Sequence, residues 1–177
     1  MNRKLSGAQL HRIAADSYRE LPESGLVLVL DNIRSAHNVG SAFRTADAFK
    51  VDRIVLCGIC ACPPSVEIHK SALGAEEAVP WEHAGDTLAA VESLRDQGYH
   101  IVSVEQTECS RSLHRFRREP GVRYALVFGN EVKGVAQEVV DASDLCLEIP
   151  QYGTKHSLNV SVSIGIVLWN IILNNLK

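Results

Sequence analysis

The sequence predicts an α/β fold with a mostly parallel sheet and helices on both faces. Short apolar, β-rich runs alternate with helical segments along the 177 residues, and this alternation is typical of parallel sheets covered by helices. The runs at residues 26–30 and 124–128 are almost continuously apolar, as in strands buried on both faces. The hydrophobic fraction of 46% is enough for one sizeable core.

The predicted elements follow these patterns in chain order. Strands are predicted at residues 26–30, 53–57, 100–104, 124–128 and 145–149. Helices are predicted at residues 7–18, 38–49, 87–97, 135–141 and 157–176, with Ser6 as a candidate N-cap of the first. No long linker interrupts the pattern, so residues 1–177 are expected to form one domain with a short helical extension at residues 1–22.

Composition narrows the possible functions and locations. Five cysteines without an apolar N-terminal leader favour free thiols and a cytoplasmic location. The most apolar stretch, residues 158–173, is interrupted by polar residues and is too short to span a bilayer comfortably, so no membrane segment is expected. The formal net charge is −3, so a nucleic acid would have to bind through local basic patches.

One group of residues raises the question of a metal site. Cys57, Cys60, Cys62 and His69 are all metal-ligating types. Their spacing matches no common zinc pattern, and Cys57 falls in a predicted strand. We therefore expect buried or inert thiols and no metal.

Polar residues and glycines gather after four of the predicted strands. The segments are residues 31–40, 105–107, 129–134 and 150–159. Because ligands bind beyond the carboxyl ends of parallel strands, a site is predicted at this edge of the sheet.

Three segments hold candidate site residues, each with a structural alternative. Arg44 lies off the apolar stripe of its helix and could simply pair with Asp47. Residues 129–134 lack the Lys-Ser/Thr pair of a phosphate loop, which leaves a glycine turn whose Glu131 could only complement a helix N-terminus. Ser157 could be an ordinary N-cap, whereas Asn159 is expected within the first helical turn, where its amide could bind a ligand.

The densest basic cluster lies between the third and fourth predicted strands. Guanidinium groups are well shaped for phosphate, although Glu108 and Glu119 could balance them in a solvated loop. The candidate RNA-binding residues of this cluster are Arg111, Arg115, Arg117 and Arg118.

Three stretches resemble the motifs of the SpoU family, which includes the TrmH-type tRNA methyltransferases. They are residues 32–49, with His37-Asn38 and Arg44, residues 128–134, and residues 149–163. The resemblance covers essentially the whole chain, with the motifs in the family's order and spacing. It implies an S-adenosylmethionine-dependent RNA ribose 2′-O-methyltransferase of the SPOUT superfamily. It also implies a C-terminal deep trefoil knot and a homodimer whose active sites lie at the subunit interface.

The resemblance also implies roles for individual residues. Arg44 corresponds to the family's catalytic arginine, and Asn38, Glu131 and Asn159 to its supporting polar residues. The implied cofactor-binding residues are Val104, Gly129, Ile149, Ser157 and Leu158. Arg44 could act as a base, but a guanidinium pKa above about 12 favours stabilisation of the forming alkoxide and the adjacent phosphate.

The substrate and the reaction leave alternatives open. Residues 104–107 and the third motif are similar to eukaryotic tRNA guanosine ribose methyltransferases, which favours tRNA over rRNA. The sequence departs from the family at His156, where many relatives have an arginine before Ser-Leu-Asn. One rival is a non-catalytic RNA-binding protein on the same fold. The other is a different nucleotide-cofactor enzyme, which the missing Gly-x-Gly-x-x-Gly turn after the first strand disfavours.

Overall fold

The computed structural model describes residues 2–10 and 13–173 of the chain. In this part of the chain one sheet of seven strands has the order β3-β2-β1-β6-β4-β7-β5, with every neighbouring pair parallel. The strands are β1 Leu26–Asp31, β2 Arg53–Cys57, β3 Trp81–Ala84, β4 Tyr99–Val104, β5 Arg111–Ser112, β6 Arg123–Gly129 and β7 Leu145–Glu148. The predicted parallel sheet is confirmed.

Helices connect the strands and cover the sheet. The α-helices are α1 Ala15–Glu20, α2 Ala36–Ala48, α3 Val66–Ala72, α4 Ala75–Ala78, α5 Thr87–Asp96, α6 Gln137–Asp141 and α7 Val160–Leu173. Two short 3₁₀ turns occupy Gly7–Leu10 and Leu113–Arg115. None of the helices described is long and apolar enough to cross a membrane.

The core lies on both faces of the sheet because side chains of a strand alternate between its faces. In β1, Leu26, Leu28 and Leu30 pack in one cluster with residues of α2, α3 and α7. Val27 and Val29 pack in the other cluster, with residues of α5 and α6. All six residues of β1 are buried, as the continuous apolar run predicts.

The N-terminal helix differs from the prediction. Residues 7–18 are not one helix, because Ala14 has extended backbone angles of φ −72° and ψ 156° between the 3₁₀ turn and α1. Ser6 does not cap through its side-chain oxygen: its N–H and its hydroxyl both donate to Oε1 of Gln9, at 2.9 and 3.0 Å. Residues 11–12 of the predicted helix, and residues 174–176 of the last one, lie outside the described residues.

Candidate functional site

A cavity of about 540 Å³ opens beyond the carboxyl ends of β4, β6 and β7. Its walls come from the loops after these three strands and from the start of α7. All five residues implied to bind a cofactor line it, namely Val104, Gly129, Ile149, Ser157 and Leu158. The fold therefore gathers them at one edge of the sheet, and their role toward a cofactor stays a prediction.

The loop after β6 is a closed turn that only glycine permits at its start. A Cβ on Gly129 would lie 1.9 Å from the carbonyl carbon of Gly134. Asn130 and Gly134 bond to each other through backbone N–H and C=O groups at 3.2 and 3.0 Å. The side-chain oxygen of Asn130 also accepts from the N–H groups of Val132 and Lys133, both at 2.9 Å. The turn is thus fixed by its own backbone and by the Asn130 side chain.

Two carboxylates that sequence reasoning left unassigned hold the far end of this loop. Oε2 of Glu105 accepts from the Val135 N–H at 3.0 Å, and Oδ2 of Asp31 accepts from the Ala136 N–H at 2.9 Å. Asp31 is only 1% exposed, and its other oxygen accepts from the Thr87 hydroxyl at 2.6 Å. Asp31 ends β1, and Glu105 directly follows β4. This position at the end of an apolar strand is the sequence signal that could have identified both residues.

A chain of hydrogen bonds connects three of the four predicted catalytic residues. Nδ2 of Asn159 donates to Oδ1 of Asn38 at 3.2 Å. Nδ2 of Asn38 donates in turn to Oε1 of Glu131 at 2.6 Å. Asn38 is 7% exposed, while Glu131 and Asn159 line the cavity. The chain fixes the orientation of both amides at the cavity wall.

Asn159 is the N-cap of α7, which corrects the sequence interpretation. The helix begins at Val160 rather than at residue 157, and Oδ1 of Asn159 accepts from the Ser161 N–H at 2.9 Å. Asparagine is a preferred N-cap because its oxygen satisfies a free N–H of the first turn. Ser157 instead lies in the loop, on the cavity wall.

Arg44 lies apart from the other predicted catalytic residues within this chain. It is exposed on α2, almost two turns beyond Asn38. It is not among the residues that line the 540 Å³ cavity, and it lines a separate cavity of about 250 Å³ with residues of α1 and α4. One chain alone therefore does not assemble the full predicted set.

The basic cluster divides into free and bound arginines. The side chains of Arg111 and Arg115 are exposed and make no hydrogen bond or ion pair to the described part of the chain. Arg117 donates to backbone carbonyls of its own loop. Arg118 donates to the carbonyls of Ser24 and Val122, and burial lowers the pKa of its guanidinium. Of the four predicted RNA-binding arginines, Arg111 and Arg115 thus have side chains that are free to contact phosphate.

Arg118→Ala is expected to lower the free energy of unfolding by about 1–3 kcal/mol, because two partly buried carbonyl groups lose their donor. Arg115→Ala should change it by less than about 0.5 kcal/mol, as exposed substitutions usually do. Urea unfolding followed by circular dichroism measures both values. Equal stabilities of the two variants would contradict a structural role for Arg118.

In the described residues Cys57, Cys60, Cys62 and His69 do not form a group of three ligand atoms within 4.8 Å of one another. Burial raises the pKa of Cys57 to about 12 and that of Cys60 to about 11, so both thiols stay protonated at neutral pH. Sγ of Cys60 accepts from the Ile33 N–H at 3.1 Å. Nδ1 of His69 lies 2.5 Å from Oε1 of Glu76 instead. The thiols are packing residues of the β1 and β2 ends.

Known proteins with similar sequences and structures cover most of this chain. Residues 25–169 match the model of the SpoU rRNA Methylase family. The 23S rRNA (guanosine-2′-O-)-methyltransferase RlmB of Neisseria meningitidis serogroup B is 30% identical over 164 residues, which are 93% of this chain and 64% of that protein. The chain spans 57% of the length of a staphylococcal relative.

Solved structures share the fold. The AdoMet-bound rRNA methyltransferase from Sinorhizobium meliloti has a TM-score of 0.80 and 27% identity, covering 90% of this chain and 61% of that one. The A. aeolicus TrmH/SpoU tRNA modifying enzyme has a TM-score of 0.78 and 27% identity, covering 90% and 81%. The α/β architecture is thus confirmed, and the trefoil knot stays a prediction. With 145 consecutive residues matched by the family model, the chain belongs to the SpoU rRNA Methylase family.

Proposed function

We propose that this protein is an S-adenosylmethionine-dependent RNA ribose 2′-O-methyltransferase. The observation that carries the proposal is the cavity beyond β4, β6 and β7. The five implied cofactor residues line it beside the Asn159–Asn38–Glu131 hydrogen-bond chain. The related proteins named as an AdoMet-bound rRNA methyltransferase and as a guanosine-2′-O-methyltransferase support the same chemistry.

The residues present fit an adenosyl cofactor. A cavity of about 540 Å³ lies within the usual range for small-molecule sites. Leu147, Ile149 and Leu158 offer apolar walls suited to an adenine ring. Glu131 and Glu148 add negative charge, which suits a ligand that carries a sulfonium and an ammonium group. When bound, the cofactor supplies an electrophilic methyl group on a good leaving group.

The protein's task is to align the ribose and to manage one proton. A 2′-hydroxyl is a poor nucleophile near neutral pH, so it must lose its proton as it attacks. Arg44 stabilises the forming alkoxide and grips the neighbouring phosphate, and the proton leaves late to water. Asn38 and Glu131, already bonded at 2.6 Å, hold the guanidinium, while Asn159 orients the ribose.

A homodimer completes the site in this proposal. Val162, Ile166, Trp169 and Leu173 are exposed on α7 at 49%, 37%, 58% and 41%. They recur at intervals of four, three and four residues, so they form one apolar stripe along the helix. Contiguous exposed apolar surface marks an interaction site. A second copy that covers this stripe brings its own Arg44 to the cavity of the first.

We propose tRNA as the class of RNA that the protein methylates. The motif resemblance favours tRNA, as does the related protein named as a tRNA modifying enzyme. The relatives named for rRNA support the ribosome as the second candidate. The two candidates share the ribose chemistry, and they differ in the RNA that the protein binds.

The purified protein is expected to transfer tritiated methyl groups from S-adenosylmethionine to tRNA from cells that lack the gene. Mapping of 2′-O-methyl positions in RNA from cells with and without the gene identifies the nucleotide. Transfer to rRNA alone would replace the tRNA proposal. Cofactor binding without transfer to either RNA would favour a non-catalytic RNA-binding protein. Stabilisation by dinucleotides rather than by adenosyl compounds in a thermal-shift assay would contradict S-adenosylmethionine as the cofactor.

A further inference from the structure

Two side chains beside the cavity are more exposed than any other large apolar side chain in residues 2–10 and 13–173. Val132 is 91% exposed and Tyr152 is 97% exposed. Val132 lies in the turn after β6, and Tyr152 in the loop between β7 and α7. Single exposed apolar residues are ordinary, but these two stand in two loops that both line one cavity, to which Val132 and Gln151 contribute.

The same edge of the sheet carries cations without acidic partners. The side chains of Arg34, Lys133 and Lys155 make no ion pair or hydrogen bond to the described residues, and all three are exposed. Some cations elsewhere in the described residues have acidic partners, as in Lys70–Glu67 at 2.7 Å and Lys50–Asp52 at 3.9 Å, whereas Arg111 and Arg115 are free, as these three are. On a chain of net charge −3, these free cations form a local basic rim.

Three acidic residues at this edge accept hydrogen bonds from donors of the protein. Glu105 accepts from the Val135 N–H and Glu131 accepts from the Asn38 amide. Oε2 of Glu148 accepts from the Ser110 hydroxyl at 2.9 Å. These three carboxylates each accept a hydrogen bond from the protein, whereas the three cations and the tyrosine ring are exposed and make no hydrogen bond to the described residues.

We propose that this rim is the docking surface for a single-stranded segment of RNA, with Tyr152 as its base-stacking residue. The tyrosine ring stacks on a base next to the modified nucleotide, and Arg34, Lys133 and Lys155 contact the flanking phosphates. A free aromatic face with nearby cations is the recognition chemistry of unpaired nucleotides, because a base inside a duplex has no free face. The inference rests on the proposed function and names its RNA-binding surface.

Tyr152→Ala is expected to weaken binding of a fluorescein-labelled, 20-nucleotide single-stranded RNA about tenfold in fluorescence anisotropy, the usual effect of losing one base stack. Tyr152→Phe keeps the ring and should stay within about twofold of wild type. A fully paired RNA hairpin should bind more weakly than the single strand and should not respond to Tyr152→Ala. Cofactor affinity by calorimetry should be the same in all three proteins.

Removal of the two rim lysines tests the phosphate contacts. The double variant Lys133→Ala/Lys155→Ala should lower the slope of log Kd against log salt by about 1.4, because each contact to a single strand contributes about 0.7. Lys70→Ala is the matched control, since its ammonium is paired with Glu67 on α3, and its slope should equal that of wild type.

Unchanged single-strand affinity of Tyr152→Ala would overturn the stacking role. An unchanged salt slope of the lysine variant would overturn the phosphate contacts. Gel filtration showing that Tyr152→Ala dissociates a dimer would assign the ring to an interface between copies and would also overturn the proposal. These binding measurements need no methyl transfer. A wild-type protein that binds RNA through Tyr152 without methylating it would therefore contradict the proposed function alone.

Discussion

Arg44→Ala is expected to lower kcat for methyl transfer about a thousandfold, toward an undetectable rate. In the proposed mechanism the guanidinium acts on charge that develops on the ribose oxygen during transfer, so its loss raises the free energy of the transition state alone. Cofactor affinity should stay within about twofold, since the proposed contacts of Arg44 are to the ribose and phosphate of the RNA and not to the cofactor. Single-turnover methyl transfer measures the first value, and calorimetry measures the second.

Two controls make the Arg44 result specific. Arg44→Lys keeps the charge but loses the planar fork that grips a phosphate, so its rate should fall between those of wild type and alanine. Arg19→Ala removes another exposed arginine, which donates to the Glu77 carbonyl at 3.3 Å, and should leave the rate unchanged. Wild-type turnover in Arg44→Ala would refute the catalytic role.

A mixture of two inactive variants tests whether Arg44 acts on the cavity of a second copy. Arg44→Ala keeps an intact cavity, whereas Leu158→Arg keeps an intact arginine. In a mixed dimer with shared sites, one cavity is intact and receives an intact arginine. Mixing and re-equilibrating equal amounts should then restore about a quarter of the wild-type activity, because about half of the dimers are mixed and each has one working site. No recovery would place Arg44 and its cavity in the same subunit.

Leu158→Arg is expected to abolish measurable cofactor binding, a loss of at least about a hundredfold in affinity. Leu158 lines the cavity and is 38% exposed there, so arginine can occupy its position while its longer side chain fills the pocket. Its positive charge also repels a ligand that carries sulfonium and ammonium groups. Calorimetric titration with S-adenosylmethionine or S-adenosylhomocysteine measures the loss.

Leu5→Arg is the matched control for this substitution. Leu5 is 63% exposed near the N-terminus, so the same change there should leave cofactor affinity and the unfolding transition as in wild type. Leu158→Ala should weaken binding only mildly, since it removes apolar contact without blocking the space. An unchanged titration for Leu158→Arg would mean that the cavity is not the cofactor site.

Burial explains which strands could be predicted from the sequence. β1 and β6 lie in the middle of the sheet, so both faces need apolar residues and the run is nearly continuous. β3 lies at one edge and carries Glu82 and His83, both exposed. β5 has only two residues at the opposite edge. Edge strands need little apolar surface, so neither carries a recognisable pattern.

The location of the candidate site could be predicted from the sequence, but the roles and positions of some of its residues could not. The loops beyond β4, β6 and β7 follow from parallel topology, which places carboxyl ends at one edge. The capping role of Asn159 depends on where α7 begins, and helix boundaries are poorly defined by sequence alone. The separation of Arg44 from the cavity within one chain does not follow from the spacing of the motif, because a motif does not specify how its residues are placed in the fold.

The oxygen and the nitrogen of the Asn159 side-chain amide contact different parts of the molecule at once. Its oxygen holds the first turn of α7, and its nitrogen reaches Asn38 at 3.2 Å. A slide of α7 by one residue, about 1.5 Å, would break the second contact and so remove one of the two hydrogen bonds that orient the Asn38 amide, which donates to Glu131. In the proposed dimer, contacts along α7 would set the position of this helix and with it the shape of the pocket, so dilution that separates the copies is expected to slow the reaction before it unfolds the chain.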